Sequence, residues 1–426
     1  MKTSIIFFAL VFINVILFTQ HQNVKVNINN YQPEEVTIAI NPLNPKNLVI
    51  GANINLYYWS MDGGATWKEG SISSKEYGVW GDPCIVFDLN GHAYYFHLSR
   101  PSQSQWIDRM VCQKSTDGGA TWSTPGTYTG LNLPKKQDKE WACVDYTNSP
   151  GKNNIYLTWT QFDAYQSRLP QDKSNIMFSF SGDGGMNWSP AKMINEISGD
   201  CLDDDSTTEG AVPAVGPNGE IYVAWSGPAG IVFDRSTDFG KTWLDKDISV
   251  CAQVKGWAYD IEGIYRCNGL PVTCCDISNS PNKGNIYINY SDATNGEDDM
   301  DVFIVRSTDA GDSWSAPIRI NQDPVGNRKQ QFMSWMHVDP ITGSVNVVYY
   351  DRRNYDSTQT DVYFARSTNG GETFTERKIS DTLFIPDKTI FFGDYINVMS
   401  YNNFTACTWQ RMDKKTLSVM YWGKEF

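Results

Sequence analysis

The chain has no cluster of Lys or Arg. Its 35 basic residues are scattered among 48 acidic ones, and the net charge is −13. A surface without a basic stripe cannot track phosphates, which excludes nucleic acid and anionic membrane faces as partners. Histidine is scarce, with four in all, and none stands near the adjacent Cys274 and Cys275. A zinc site would have no ligand set to draw on, so no metal and no cofactor is expected. Helical periodicity is almost absent, and past residue 18 no apolar run is long enough to cross a bilayer.

Near the front, Lys2 precedes an almost unbroken apolar run from Ile5 to Phe18, followed by polar residues from Thr19 to Asn23. This is the pattern of a secretory signal peptide over residues 1–20. It places the remainder, 24–426, outside the cytoplasm as one secreted or cell-surface domain, expected to be a monomer with no membrane span after signal cleavage. All nine cysteines lie beyond the signal segment. An oxidising compartment lets them pair, with at least one thiol left over. Cys84 and Cys143 occupy similar places in successive repeats and are the first expected bridge; Cys201 with Cys251 and Cys267 with Cys274 are looser expectations.

One octapeptide organises the chain. It reads SMDGGATW from Ser60, STDGGATW from Ser115, SGDGGMNW from Ser181, STDFGKTW from Ser236, STDAGDSW from Ser307 and STNGGETF from Ser367. Each copy has the chemistry of a hairpin turn: the Asp carboxylate accepts backbone N–H groups, the Gly takes a positive φ, and the Trp packs under the turn. Between copies run short alternating strands rich in Val, Ile, Tyr and Trp.

A second element recurs seven times, an apolar strand opening near Glu34, Gly81, Trp141, Glu209, Leu270, Phe332 and Phe391. Six openings lead to an octapeptide. The seventh leads only to FTACTWQ and LSVMYW, one strand short of four, and VKVNIN from Val24 to Asn29 is spare at the other end. The expectation is an all-β propeller of seven four-stranded blades, six being the alternative, with the ring closed by the N-terminal strand.

From about Glu34 to Trp422 these boxes and strands resemble the Asp-box (bacterial neuraminidase repeat) propellers of the sialidase superfamily. The resemblance implies that the boxes are structural elements of the blade periphery. For a true sialidase it also implies three arginines gripping the substrate carboxylate, a Tyr nucleophile activated by a Glu, an Asp acid/base, and an Arg-Ile-Pro motif near the N-terminus. In that place this chain reads QPEEVTIAINP. Arg235, Arg306 and Arg366 do not supply the triad, because each stands three residues before its box Asp or Asn, where Lys114 also stands. They read as strand-supporting repeat positions. Outside the repeat, the arginines that stand as functional candidates are Arg100, Arg109, Arg168, Arg266, Arg328, Arg352 and Arg353.

In a propeller the innermost strands start at one mouth of the channel, so the seven openings converge there. At or beside them stand Glu35, Asp82, Glu140, Glu209 and Asp394, with Trp80, Trp141, Trp335 and Tyr395. Carboxylates and aromatic faces around one concavity are what glycoside hydrolysis needs. The expected catalytic pool is Glu209, Asp82, Asp394 and Glu140, with Glu209 first because it follows the polar loop CLDDDSTTEG. The expected substrate contacts are Arg352, Arg353, Arg328, Trp80, Trp141, Trp335 and Tyr395. The leading reading is a secreted sialidase-like glycoside hydrolase acting on complex or acidic glycans. The alternatives are a non-catalytic glycan-binding or adhesion propeller and a polysaccharide lyase, for which His97 and His337 are the strand-borne bases.

Overall fold

The octapeptide turns show why the chain folds as a ring. At Ser236 the side-chain hydroxyl donates to Oδ1 of Asp238 at 2.8 Å and accepts the Gly240 N–H at 2.8 Å. Asp238 in turn accepts the Thr242 N–H at 2.8 Å and the Thr242 hydroxyl at 2.7 Å. The turn is thus closed by its own side chains. Its outward face then packs on the neighbouring blade: Trp243 meets Phe178 edge-on at 5.0 Å, and a Cβ at Gly240 (φ +84°) would lie 2.2 Å from Phe178 Cε1. The same approach joins Gly64 to Tyr421 across the seam. Each box is a clasp between a blade and the one before it.

The repeat basic residues reinforce the clasp. Lys114, Arg235 and Arg306 donate to the carbonyls of Gly184, Ala310 and Gly370, each the fourth residue of the next blade's box, at 3.4, 2.6 and 3.0 Å. Their structural reading is what the geometry shows.

In a computed structural model describing residues 22–426, these units form seven four-stranded antiparallel sheets and no helix. The segment expected to be a signal peptide lies outside the described residues. The inner strands are Thr37–Ile40, Cys84–Phe87, Lys136–Val144, Glu209–Val215, Val272–Cys275, Gln331–Val338 and Asn397–Tyr401, for blades 1 to 7 in order. Blade 7 is completed by Val24–Lys25, which pairs Val24 with Tyr421 and Lys25 with Met420, and Val26 N–H continues the ladder to Val419 O at 2.8 Å. The closing strand is shorter than the expected 24–29, and it still covers the edge that would otherwise be open. Much of the aromatic content lies between blades, where Trp159, Trp225 and Trp409 are wholly buried on second strands.

The disulfide expectation is corrected. All nine cysteines are free. Cys84 Sγ instead accepts the Ala142 N–H of blade 3 at 3.3 Å. Cys201 and Cys251 fall on either side of blade 4, ahead of its inner strand and on its outer one, and Cys267 sits in a hairpin above the ring while Cys274 lies down the channel. That hairpin, Ala258–Tyr259 with Cys267–Asn268, is the one two-stranded sheet among the described residues outside the seven blades.

Candidate active site

The inner strands begin irregularly, and the irregularity builds the site. Glu35, Asp82, Lys139 and Met333 have φ of 53°, 54°, 53° and 48°, and each stands two residues ahead of the point where regular pairing starts or resumes. Gly210 takes that position in blade 4, and in blade 7 Gly393 stands immediately before Asp394. Left-handed backbone at charged and bulky residues is held only where surroundings enforce it, and bulges of this kind re-aim side chains. Here they turn carboxyl groups into the mouth of the channel.

Two carboxyl groupings result. In the first, Glu35 hydrogen-bonds toward both Asp82 and Asp394 and accepts from Asn53 Nδ2, while Asn53 Oδ1 accepts the Asp82 N–H at 2.7 Å. In the second, Glu209 hydrogen-bonds to Asp203, whose carboxylate also accepts the Tyr165 hydroxyl at 2.6 Å. Arg266 from the hairpin joins them. Its Nε donates to Asp394 Oδ1 at 2.8 Å, a second nitrogen donates to Oδ2, and Nη1 lies 3.6 Å from Asp203. Asp82, Asp138, Asp203, Glu209 and Asp394 line one cavity of about 110 Å³ with Lys139, Arg266 and Trp257. Beside it, reached through the shared Lys139 and Asp394, is an aromatic plug: Trp141 lies 4.2 Å from Trp335 and 5.5 Å from Tyr395, and Lys139 Nζ sits 4.0 Å from the Tyr395 ring centre. Beneath the plug runs a largely apolar channel cavity of about 150 Å³.

Burial sets the protonation of these groups. It pushes Glu35, Asp138 and Glu209 well above the ordinary carboxyl range, with neighbouring carboxylates adding to the effect. Glu34 is pushed up to about 8, by burial and then by Asp394. Asp82 and Asp203 rise for the same first reason, while Lys139 and Glu35 work to hold Asp82 down, as Tyr165 and Arg266 do Asp203. Asp394 is the exception. Burial would raise it too, but the adjacent Arg266, helped by Lys139 and Glu35, holds it below the usual range. The site therefore offers protonated carboxyl groups beside ionised ones, which is the pairing that acid–base chemistry on a glycosidic oxygen requires.

No protein-family model matches the chain. Over 225 residues it is 27% identical to a sialidase of Bacteroides fragilis (strain YCH46), an alignment spanning 45% of this chain and 37% of that protein. Among solved structures, the NanB sialidase of Streptococcus pneumoniae superposes with a TM-score of 0.50 at 10% identity, over 89% of this chain and 83% of that one. A Hadza microbial sialidase gives 0.50 at 12% identity, over 89% and 73%. At such identities the structural likeness is one of fold. The chain is a seven-bladed β-propeller similar in fold to these sialidases.

In this propeller the expected residues separate clearly. Glu209, Asp82 and Asp394 meet at the mouth cavity. Glu140 lies just below, 2% exposed, with neither carboxyl oxygen bonded and its pKa driven well up by burial. Trp141, Trp335 and Tyr395 form the plug. Trp80 lies elsewhere, under the Arg100 guanidinium at 4.0 Å and edge-on to Trp106 at 6.0 Å. Arg353 is clamped by Asp351 and Glu376, and Arg328 pairs with Asp298 in solvent. Arg352 is buried over Phe332, bonded to Thr360 and Gln330. Arg266 is the one arginine among the described residues lining the mouth cavity. His97 is buried and His337 half-buried, and desolvation pushes both down to about 4, which leaves both neutral. The residues that sequence reasoning passed over are Asp138, Lys139, Asp203 and Tyr165. Asp138 and Lys139 directly precede Glu140, and Asp203 stands inside the acidic loop already singled out, so the signal was adjacency.

Proposed function

We propose that this propeller is a glycoside hydrolase whose chemistry is carried by the carboxyl groups of its channel mouth. The observation that carries the reading is the pair of carboxyl groupings on one cavity, one around Glu209 and Asp203 and one around Asp82, Glu35 and Asp394. Glu209 is the general acid. Burial keeps its proton in place, and Glu209 lines the mouth cavity where a glycosidic oxygen would be protonated. Asp82 is the carboxylate that acts as base or nucleophile, with Glu35 holding the proton of that pair. Asp394 and Arg266 position Glu35 and Asp203. The partial similarity to a Bacteroides fragilis sialidase supports action on a glycan. The apolar run Ile5 to Phe18 supports export of the enzyme from the cytoplasm.

The test is a panel of reducing-end-labelled glycans incubated with the protein, with products read by mass spectrometry. Hydrolysed ends support the proposal. Unsaturated ends would assign a lyase, and retention without cleavage would assign a glycan-binding propeller.

A further inference from the structure

The chain has 15 tryptophans, and among the described residues only Trp106 is an exposed one, at 39%. Its loop, Ser99 to Arg109, joins the second and third strands of blade 2 and holds the indole outward. The next residue, Ile107, is wholly buried with φ of 44°, a backbone that a β-branched side chain rarely takes. Its N–H donates to Ser99 O and its carbonyl accepts the Gln137 N–H, both at 2.7 Å. Asp108 stiffens the same turn by accepting from the hydroxyls of Ser99 and Ser104. The indole is thus fixed before any ligand arrives, which lowers the ordering cost of binding.

Three contacts set Trp106 beside the mouth cavity. Trp80, edge-on to it at 6.0 Å, stands two residues before Asp82. Tyr165, edge-on at 5.6 Å, gives its hydroxyl to Asp203 at 2.6 Å. Lys136, with Nζ 5.8 Å from the indole centre, stands two residues before Asp138. Asp82, Asp138 and Asp203 all line the cavity. The charge on this shoulder is of the other sign. The Arg100 guanidinium lies over the Trp80 ring at 4.0 Å and, like Lys136, pairs with no carboxylate among the described residues. Lys136 donates instead to Gln105 Oε1 at 2.8 Å and Trp106 O at 3.1 Å. The loop's one carboxylate, Asp108, is held at both oxygens by Arg109 at 2.8 Å.

We propose that Trp106 is the platform of a glycan subsite outside the mouth, stacking a pyranose that carries a carboxylate or sulfate, with Arg100 and Lys136 meeting the negative group. The proposal rests on the glycan reading of the mouth, but not on cleavage. An apolar ring face bounded by hydrogen-bond donors suits a sugar, whose C–H face stacks while its polar groups are met at the rim. Arg100 supplies the specificity. Its guanidinium spends no donor on a carboxylate in a chain of net charge −13, and a charge-assisted bond to an anionic substituent is stronger than one to a hydroxyl.

The experiment is calorimetric titration of the intact protein with a galacturonate hexamer, a heparin-derived hexasaccharide and, as the neutral control, cellohexaose. It is repeated in Trp106→Ala, Trp106→Phe and Arg100→Gln. The expected result is binding of at least one acidic chain at least about tenfold tighter than cellohexaose, and the carboxylated chain against the sulfated one shows which group is met. Affinity for that chain falls about tenfold or more in Trp106→Ala and is largely restored in Trp106→Phe. Arg100→Gln removes most of the preference over cellohexaose. Thermal midpoints stay unchanged, because both side chains are exposed. Cellohexaose bound as tightly as the acidic chains, binding of none at millimolar concentration, or full affinity in Trp106→Ala would each overturn the proposal. Binding that depends on Trp106, without cleavage of any glycan, sinks the hydrolase reading and leaves this one standing. Cleavage of an acidic chain with kcat/KM unchanged in Trp106→Ala does the reverse.

Discussion

Arg266 and Asp394 are 128 residues apart in the chain and form a two-point ion pair, with Nε donating to Oδ1 at 2.8 Å. The pair ties the hairpin between blades 4 and 5 to the start of blade 7. It also keeps one carboxylate of the mouth ionised where burial acts to protonate the rest. Replacing Arg266 by Gln leaves Asp394 without its countercharge, so its pKa rises. Removing one partner of a fully buried pair costs roughly 3–5 kcal/mol, and because Arg266 is half-exposed the expected loss is ~1–2 kcal/mol. Urea unfolding at pH 7 reads this directly, and an unchanged midpoint would show that the pair holds nothing in place.

The protein should lose stability as pH rises through neutrality. Glu34 is the clearest contributor, with a folded value of about 8 against 4.5. A carboxyl raised in the folded state contributes stability that is complete below its unfolded value and disappears as pH rises through the folded one. For Glu34 that window runs from 4.5 to about 8, and Glu35, Asp138 and Glu209 act in the same direction. The thermal midpoint is therefore expected to fall between pH 5 and pH 8.5. In Glu34→Gln the decline is shallower. Parallel curves for the two proteins would show that Glu34 ionises freely in the folded state.

The fold is legible in the sequence because its determinants are local and repeated. A turn that needs an acceptor at Asp238, a left-handed Gly240 and an indole at Trp243 is written in eight consecutive residues, and six copies reveal the ring. The seam was readable from a strand to spare at Val24 and a strand missing after Trp422. At the mouth, Asp82, Glu209 and Asp394 were readable because they recur at blade openings. Arg266 carried no such mark: its hairpin stands outside the four-strand unit, and its partner lies two blades further along. Asp203 and Asp138 were hidden by proximity to the residues that drew attention. The cysteines misled for a different reason. Pairing was inferred from compartment and similar position, whereas a bridge depends on Cβ geometry, and Cys84 turns its sulfur to the Ala142 backbone.

If the box is a clasp, filling its closest approach should loosen the ring without touching the mouth. Gly240→Ala places a Cβ 2.2 Å from Phe178 Cε1 at a φ of +84°. Left-handed strain and overpacking each cost about 1–3 kcal/mol, so the variant is expected to lose ~2–5 kcal/mol in chemical unfolding. Glycan affinity per folded molecule is unchanged. A loss below about 0.5 kcal/mol, the usual range for an inert surface change, would reduce the box to a local turn.

The catalytic assignment is tested at Glu209 and at the residue that tunes it. Glu209→Gln keeps volume and removes the transferable proton, so kcat on whichever glycan the panel identifies should fall by a factor on the order of 10² or more. Asp82→Asn should do the same by removing the opposing carboxylate. Neither change should lower the thermal midpoint at pH 8, because each removes a buried carboxyl whose ionisation is unfavourable. Asp203 separates chemistry from structure. It stands beside Glu209 and raises that group's pKa through both its charge and its hydrogen bond. The acid must be protonated to act, so activity declines as pH rises past its pKa. In Asp203→Asn that alkaline limb should move to lower pH while kcat at the acid side is largely retained. A variant that lost activity evenly at every pH would assign Asp203 a structural role. Full activity in both Glu209→Gln and Asp82→Asn would remove the mouth carboxyl groups from the mechanism altogether.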